Sequence, residues 1–388
     1  MSTRLAIYLA FKEVWRSRSR YFLISLVIAL ITLLVLFLAG LGEGLGAANR
    51  EYLSKIDADL ILFQEKADRS VIASQLGNSV MNDINRTPGI AQAAAIGYSG
   101  VFVQLDDAEE PLAISLLGVE PDKPGNMEIV DGRSLGSLRA NEVVIDSNVV
   151  RQTGLGLGDT LTIESTQGAV DEIYELEIVG ISSGQQFFFQ PSITVPLYTW
   201  DRIRPQPSAP SSSSELVFNI VAIKLADGVT QEQAIANLQN RVDDIDVTDV
   251  VTAYESSPGY AEQQTTVNTQ RGFTLLIGIL VVGGFFQIQT LQKIAQIGML
   301  KALGASNRIV SIAATMQIVL TNLFGVFLGG TATLLLAPGL PAGIPISFVG
   351  TQMLIAVVTL LLIGPIGGLV SIRLALKVEP LTALGLAS

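Results

Sequence analysis

Residues 21–42 read YFLISLVIALITLLVLFLAGLG and contain no charged side chain. A bilayer core about 30 Å thick requires roughly 20 apolar residues of helix, so this stretch is long enough to cross a membrane once. Two more charge-free windows occur later, at residues 272–292 and 309–372. The longer window is interrupted by three prolines in the stretch APGLPAGIPIS. It therefore predicts two spans joined by a turn.

The predicted fold class is a membrane α-helical protein with four transmembrane helices in a 1+3 arrangement. A large α+β extracytoplasmic domain is inserted between the first and second of these helices. The predicted segments are a cytoplasmic amphipathic helix at 1–20, transmembrane helix 1 at 21–42, the extracytoplasmic domain of two lobes at 43–271, transmembrane helix 2 at 272–292, a cytoplasmic helix at 293–308, transmembrane helix 3 at 309–336, transmembrane helix 4 at 348–372 and a cytoplasmic tail at 373–388.

The distribution of charge predicts the orientation. The short flanks of the spans carry ten basic and two acidic residues, a net charge of +8. The rest of the chain carries a net charge of −19, which gives the total of −11. Because Lys and Arg accumulate on the cytoplasmic side, we expect both termini inside the cell and residues 43–271 outside it. A cleaved signal peptide is the alternative for the start of the chain. Its apolar core is normally only about 7–15 residues, which favours a retained span.

Composition excludes several classes of function. The chain has no Cys and no His, so it offers no disulfide, no thiolate zinc site, no Ser-His-Asp triad and no imidazole ligand for haem or metal. The net charge of −11 argues against binding to nucleic acid. No GxxxxGK[ST] phosphate loop occurs, so the chain is not expected to be an enzyme that hydrolyses ATP by that route.

The extracytoplasmic region has an α+β pattern. Residues 57–64 resemble a strand, and residues 70–86 predict a helix that Ser70 could cap. Short apolar runs separated by turn residues follow, and a β-α-β pattern occupies residues 217–253. We expect one folded unit of two lobes.

Glycines mark predicted packing sites and ends of helices. Gly325 with Gly329 and Gly364 with Gly368 are spaced so that two membrane helices can approach closely. Pro365 falls within the last span and predicts a kink. The glycine-rich residues 40–46 predict the exit of the first helix.

Residues 293–308 form the cytoplasmic connection between the second and third spans. Apolar side chains recur at helical spacing and Gly304 resembles a C-cap, which together predict a short amphipathic helix. Such a helix could be the docking site for a cytoplasmic motor, or it could lie at the membrane interface without a partner. The physical chemistry of the residues leaves both readings open.

The stretch IGMLKALGAS at residues 297–306 and the stretch VEPLTAL at residues 378–384 resemble the paired signatures of the MacB/FtsX-like permeases of ABC transporters. One span, a large outside domain and three further spans is also the arrangement of that family. Within the family, the N-terminal 50 residues resemble the permeases of haem exporters. The sequence departs from many members at Ala295 and Gln296, where they carry Arg-Glu.

The resemblance implies a homodimer in the cell membrane with two copies of a separate ATPase, which would bind the ATP and Mg²⁺. This chain would itself carry no cofactor. ATP-driven closing of the ATPases would move the spans and the outside domains, an action called mechanotransmission. The residues implied to couple to the ATPase are Ile297, Gly298, Leu300, Lys301, Leu303 and Gly304.

The resemblance also implies a hydrophobic or amphipathic cargo, such as haem, that enters from the membrane between two first spans. Candidate substrate-binding residues are Phe37, Leu41 and Glu43. Without His, haem iron would require Met, Tyr or carboxylate ligands, and Glu43 is the candidate by position. The alternative for Glu43 is a charge that marks the membrane boundary. The alternative for the whole chain is a non-transporting, FtsX-like mechanotransmission protein that regulates an extracytoplasmic partner.

Overall fold

A computed structural model describes residues 3–104, 111–183, 186–206, 216–339, 346, 348 and 351–377. The chain divides into two compact units. The first unit, the helical unit, contains Met1–Gly44 and Thr265–Ser388, and the second, the sheet unit, contains Leu45–Gln264. The predicted C-terminal signature at residues 378–384 lies outside the described residues.

The described residues contain eleven α-helices, whose bounds differ from several of the predicted segments. They are α1 Thr3–Arg16, α2 Arg18–Lys55, α3 Asn78–Asn85, α4 Ser147–Thr153, α5 Leu197–Ile203, α6 Gln231–Gln239, α7 Val250–Glu255, α8 Tyr260–Gln292, α9 Ile294–Ala302, α10 Asn307–Leu336 and α11 Thr351–Lys377.

Four of these helices are long and apolar enough to cross a membrane, over Arg18–Ala48, Tyr260–Gln292, Asn307–Gly339 and Met353–Arg373. The 1+3 arrangement is therefore confirmed. The predicted helix exit at residues 40–46 is wrong, because α2 continues through the glycines to Lys55. The helix that contains the predicted span at residues 272–292 begins earlier, at Tyr260.

The helical unit is held together at glycines. A Cβ atom on Gly325 would lie 2.6 Å from Ile28, and one on Gly329 would lie 2.4 Å from the carbonyl oxygen of Ala29. α10 therefore packs directly on the backbone of α2. A Cβ on Gly368 would meet Ile318 at 2.4 Å, which places α11 against α10. The predicted small-residue contacts are confirmed.

Asn322 of α10 donates hydrogen bonds to α11 at the turn where Pro365 interrupts the helical hydrogen-bonding pattern. Pro365 lacks an N–H, so the carbonyl of Leu361 has no helical donor. The side-chain amide of Asn322 donates to that carbonyl at 3.0 Å and to the carbonyl of Leu360 at 3.1 Å. Gly364 leaves the room, since a Cβ there would lie 2.7 Å from the Asn322 side chain. Polar groups in apolar surroundings require partners, and α10 provides one here.

The described part of the sheet unit contains thirteen strands: β1 Leu60–Gln64, β2 Leu76–Gly77, β3 Ile90–Val103, β4 Leu112–Val119, β5 Ile129–Gly132, β6 Glu142–Asp146, β7 Thr160–Gln167, β8 Val170–Ser182, β9 Gln186–Phe187, β10 Gln190–Pro196, β11 Val217–Phe218, β12 Ile220–Leu225 and β13 Ile245–Asp249. Eleven of them form a mixed sheet in the order β13-β1-β12-β3-β4-β10-β6-β8-β5, with β7 next to β3 and β8, and with β9 next to β10. The remaining two, β2 and β11, form a separate pair. The predicted α+β domain is confirmed.

The long strand β3 is shared by both halves of the sheet. Its first half pairs with β12 and its second half pairs with β4. Gly97 of β3 and Gly118 of β4 are direct cross-strand partners. The Trp200 indole packs on both glycines, since a Cβ atom would lie 2.4 Å from the indole at Gly97 and 2.5 Å from it at Gly118. The indole N–H donates to Ser99 Oγ at 3.1 Å.

The predicted helix at residues 70–86 is wrong over its first half. Only α3 is helical there, and its N-cap is Gly77 and not Ser70. The hydroxyl of Ser74 accepts a hydrogen bond from the backbone N–H of Gln64 at 2.9 Å, and Leu76–Gly77 pairs with β11. Side-chain hydrogen bonds of this kind compete with helix formation.

An ion pair joins the segment after β5 to the start of β6. Arg133 binds Glu142 through two nitrogens, at 2.6 and 3.0 Å, and the backbone N–H of Gly136 donates to the same carboxylate at 2.9 Å. The hydrogen bonds from Arg133 are the main reason that the pKa of Glu142 is lowered. The pair thus stabilises the charged carboxylate.

Candidate functional site

The first candidate site is α9, the predicted cytoplasmic helix. Its end is a Schellman motif: Gly304 has φ +94°, its N–H donates to the Lys301 carbonyl at 3.0 Å, and the N–H of Ala305 donates to the Leu300 carbonyl at 3.0 Å. The expected C-cap at Gly304 is confirmed. The chain then turns directly into α10, so α9 is a short helix with a defined end.

α9 has an exposed apolar face. Leu303 is 81% exposed, Met299 is 54% exposed and Leu300 is 42% exposed. Gln296 lies on the same side and is also exposed. We call these four residues the α9 face. Met299 and Gln296 were not among the predicted coupling residues, although Met299 lies four residues before Leu303 and Gln296 lies four residues before Leu300, which places them on the same face.

Three of the predicted coupling residues lie elsewhere. Gly298 is buried and Ile297 is half-buried. Lys301 is half-buried, and its ammonium group donates to the carbonyl of Leu376 near the end of α11 at 2.8 Å. Lysine at a helix C-terminus satisfies carbonyls that have no helical donor. Lys301 therefore binds α9 to α11, and it does not act as a cation of the α9 face.

A polar cluster, which the sequence did not predict, fixes the start of α9. Lys293 forms an ion pair with Glu13 of α1 at 2.6 Å and donates to the Tyr21 hydroxyl at 3.0 Å. Gln317 of α10 donates to Glu13 at 2.6 Å and accepts from Tyr21 at 3.0 Å. We call these four residues the basal cluster. It joins α1, α2, α10 and the residue that precedes α9.

One sequence signal could have suggested the basal cluster. Glu13 is the single acidic residue among the first 20, in a segment that contains five basic ones. An isolated acid at a membrane boundary is costly unless it is paired, so a partner was to be expected. The identity of that partner was not predictable, because Lys293 and Gln317 are far away in the sequence.

The second candidate site is the outward face of α2. Exposed or half-exposed side chains recur with alternating steps of four and three residues, as in a heptad seam. The α2 stripe consists of Leu23, Val27, Leu30, Leu34, Phe37 and Leu41. Two of the predicted substrate residues, Phe37 and Leu41, thus share one face.

Glu43 lies on a different face of α2. At 100° per residue it is turned by about 200° from Leu41. The side chain is half-buried, whereas the stripe residues before Phe37 are exposed. On a single helix, Phe37 and Leu41 therefore share a face that Glu43 does not.

The chain matches two family models. Residues 21–241 match the MacB-like periplasmic core domain, and residues 272–380 match the FtsX-like permease C-terminal domain. Together with four apolar helices and the inserted α+β domain, these matches define the class. The chain belongs to the MacB/FtsX-like permease family of ABC transporters, and it is a membrane protein with an extracellular domain.

Particular relatives match over nearly the full length. The chain is 27% identical over 384 residues to a protein of Staphylococcus haemolyticus described as a hemin transport system permease, HrtB, covering 97% of this chain and 99% of that protein. A protein of Staphylococcus epidermidis with the same description is 22% identical over 377 residues, again with 97% of this chain and 99% of that protein covered.

Among solved structures, the periplasmic region of MacB from Actinobacillus actinomycetemcomitans matches 53% of this chain and 94% of that chain, with 15% identity and a TM-score of 0.38.

Proposed function

We propose that this chain is the permease subunit of an ABC exporter, with both termini in the cytoplasm, and that a separate ATPase docks on the α9 face. The observation that carries the proposal is this exposed apolar face on a helix whose two ends are fixed. Lys293 holds the start through the basal cluster, and Lys301 holds the end on α11. Because both ends of α9 are bonded to neighbouring helices, a force on α9 would be transmitted directly to α1, α2 and α11.

The docking experiment uses two variants that add the same charge. Leu300→Asp places a carboxylate on the α9 face and should stop co-purification of the ATPase from membranes. Ser306→Asp adds the charge at the N-cap of α10, where Asp is well tolerated, and should retain the ATPase. Retention of the ATPase by Leu300→Asp at normal permease levels would reject the α9 face as the docking site. Gly298 is unsuitable for this test because it is buried.

The proposed orientation has its own experiment, which the absence of cysteine makes simple. Ser306→Cys and Ala169→Cys are both exposed positions. A membrane-impermeant thiol reagent applied to intact cells should label Ala169→Cys and leave Ser306→Cys unlabelled until the cells are opened. The opposite pattern would reverse the orientation.

We propose further that two copies meet along the α2 stripe and that the cargo is hemin or a similar flat, amphipathic molecule. The proposal of hemin rests on the two staphylococcal relatives described as hemin transport permeases. The α2 stripe supports pairing, because a seam with a period of 3.5 residues suits two helices that cross at a small angle. Phe37 and Leu41 at the outer end of the stripe would contact the apolar rings of the cargo.

The cargo experiment compares hemin titrations of the permease in nanodiscs. Phe37→Ala with Leu41→Ala should weaken the hemin-dependent change in absorbance, whereas Leu323→Ala, an exposed residue of α10, should not. Glu43→Gln tests whether this carboxylate contacts the iron or only lies at the membrane boundary.

The alternative function predicts a different result. A non-transporting mechanotransmission protein would keep its ATPase but would neither bind hemin nor protect cells from it. Unchanged hemin tolerance on deletion of the protein would therefore favour that alternative.

A further inference from the structure

The N-terminal helix α1 packs on the helical unit through one side. Ala10 is fully buried, and Val14 packs against the core that α2, α8, α10 and α11 share. Glu13 also meets the protein, because it is ion-paired with Lys293 at 2.6 Å and accepts a hydrogen bond from Gln317 at 2.6 Å. This side of α1 is therefore covered by the protein itself.

The other side of α1 is apolar as well, which is unusual for a helix at a protein surface. Tyr8 and Phe11 are each 59% exposed, and Trp15 is 72% exposed. At about 100° per residue the three rings lie within about 60° of one another around the helix axis, on the side turned away from Ala10 and Glu13. A helix that packs on its protein through one side and meets water with the other is polar on the second side. We call these three residues the aromatic row.

Positive charge borders the aromatic row. Lys12 and Arg16 are exposed and lie one turn apart, with the Lys12 ammonium 5.8 Å from the centre of the Tyr8 ring. Glu13 is the single acidic residue among the first 42, and its ion pair with Lys293 draws it away from this surface. The exposed side chains in the described part of α1 thus combine aromatic rings with cations and include no anion.

The position of α1 within the helical unit indicates what these side chains meet. A single residue, Ser17, separates α1 from α2, whose charge-free stretch begins at Tyr21. Lys293 is the first charged residue after the charge-free stretch 272–292, and it binds Glu13 at 2.6 Å and the Tyr21 hydroxyl at 3.0 Å. The ends of two apolar spans therefore meet at α1. This is the level at which a bilayer changes from acyl chains to headgroups.

We propose that the exposed side of α1 binds anionic phospholipid in the leaflet at which α2 begins. The aromatic row enters the boundary between headgroups and acyl chains, where amphipathic rings such as those of Tyr and Trp are favoured. The Lys12 ammonium and the Arg16 guanidinium bind the phosphate of a lipid with net negative charge, such as phosphatidylglycerol. A neutral bilayer would accommodate the rings alone, so the two cations select an anionic one.

This contact involves the helical unit alone, and it does not depend on the cargo, on the ATPase or on which side of the membrane α1 occupies. The aromatic row and Glu13 lie on opposite sides of α1. The helix would therefore connect the lipid headgroups to Lys293, and through it to the start of α9.

The experiment measures which lipid lies beside Trp15. Nanodiscs contain a fixed mixture of phosphatidylcholine and phosphatidylglycerol, with bromine on the acyl chains of one lipid or the other. The chain has two tryptophans, so the difference between the parent and Trp15→Phe gives the signal of Trp15. Both lipids should quench it, and phosphatidylglycerol should quench it more strongly per brominated molecule. An absence of quenching by either lipid would show that protein and not lipid covers the aromatic row, and equal quenching per molecule would overturn the selection of anionic lipid.

Charge variants separate the cations from the rings. Lys12→Gln with Arg16→Gln should remove the excess quenching by phosphatidylglycerol and keep the quenching by phosphatidylcholine, whereas Lys12→Arg with Arg16→Lys should keep the excess. Arg308→Gln with Arg373→Gln removes the same charge from exposed positions elsewhere in the helical unit and should leave the excess at Trp15 unchanged. An excess that survives Lys12→Gln with Arg16→Gln, or that both neutralised variants lose equally, would overturn the role of these two cations.

Discussion

Glu13 and Lys293 form an ion pair, 2.6 Å between carboxylate and ammonium, that joins the N-terminal helix to the residue before α9. Both side chains are more than half-buried. Removing one partner of such a pair leaves the other charge poorly solvated.

The pair can be tested by reversing charges. Lys293→Glu should place two carboxylates together, lower Tm and reduce recovery of the bound ATPase, whereas Glu13→Lys combined with Lys293→Glu should restore much of both. Arg308→Glu makes the same change of charge at an exposed position and serves as control. If Lys293→Glu lowers Tm and ATPase recovery equally with Glu13 and with Glu13→Lys, the two residues do not interact.

Asn322 and Pro365 should be energetically coupled. Asn322→Leu leaves the Leu361 carbonyl without its donor, so it should destabilise the helical unit by about 1 kcal/mol, the usual size of such bonds in membrane proteins. In a Pro365→Ala background the backbone N–H of residue 365 can donate to the Leu361 carbonyl, so Asn322→Leu should lower the free energy of unfolding by less. Unfolding titrations in mixed detergent measure both, and a cost that is identical in the two backgrounds would contradict the coupling.

Gly97→Ala should destabilise the sheet unit by about 1–3 kcal/mol, as overpacking does, because the new Cβ would collide with Trp200. Gly100 lies on the same strand, and a Cβ there has no atom within 4 Å. Gly100→Ala is therefore the matched control and should leave Tm unchanged or slightly raised. Calorimetry of the full chain distinguishes the two, and equal Tm values would show that the indole can move aside.

Glu142 predicts a dependence of stability on pH. Its pKa is lowered in the folded protein, chiefly by Arg133, so its stabilising contribution is present above the unfolded pKa and is lost as pH falls through the folded value. Glu142→Gln should lower Tm at pH 7, and the difference from the parent should shrink below about pH 4. A difference that is constant with pH would mean that the charge of Glu142 contributes nothing.

Features determined by nearby residues were predictable from the sequence. The apolar windows gave the four long helices, and Gly304 with the spacing of Leu300 and Leu303 gave α9 and its end. The glycine pairs of α10 and α11 were predictable because close helix packing requires small residues at that spacing.

Features determined by distant residues were not predictable. The basal cluster needs Glu13, Lys293 and Gln317 to meet, and no local pattern encodes that meeting. β3 begins in an alanine-rich run, which is weak evidence for a strand, and it forms because β12 and β4 pair with it. The exit predicted at residues 40–46 failed because glycine weakens a helix by only about 1 kcal/mol, which tertiary contacts can offset.

Gly42 in the middle of α2 has a consequence for engineered thermostability. Replacing a helical glycine by alanine is a standard stabilising change of about 0.4–1 kcal/mol, because alanine restricts the unfolded chain. At Gly42 the new Cβ would lie 2.5 Å from a methyl group of Val267 in α8. Valine in a helix has essentially one side-chain rotamer and cannot turn away. The substitution that stabilises most helices would here force two helices apart, so rules based on helix propensity alone give the wrong sign at this position.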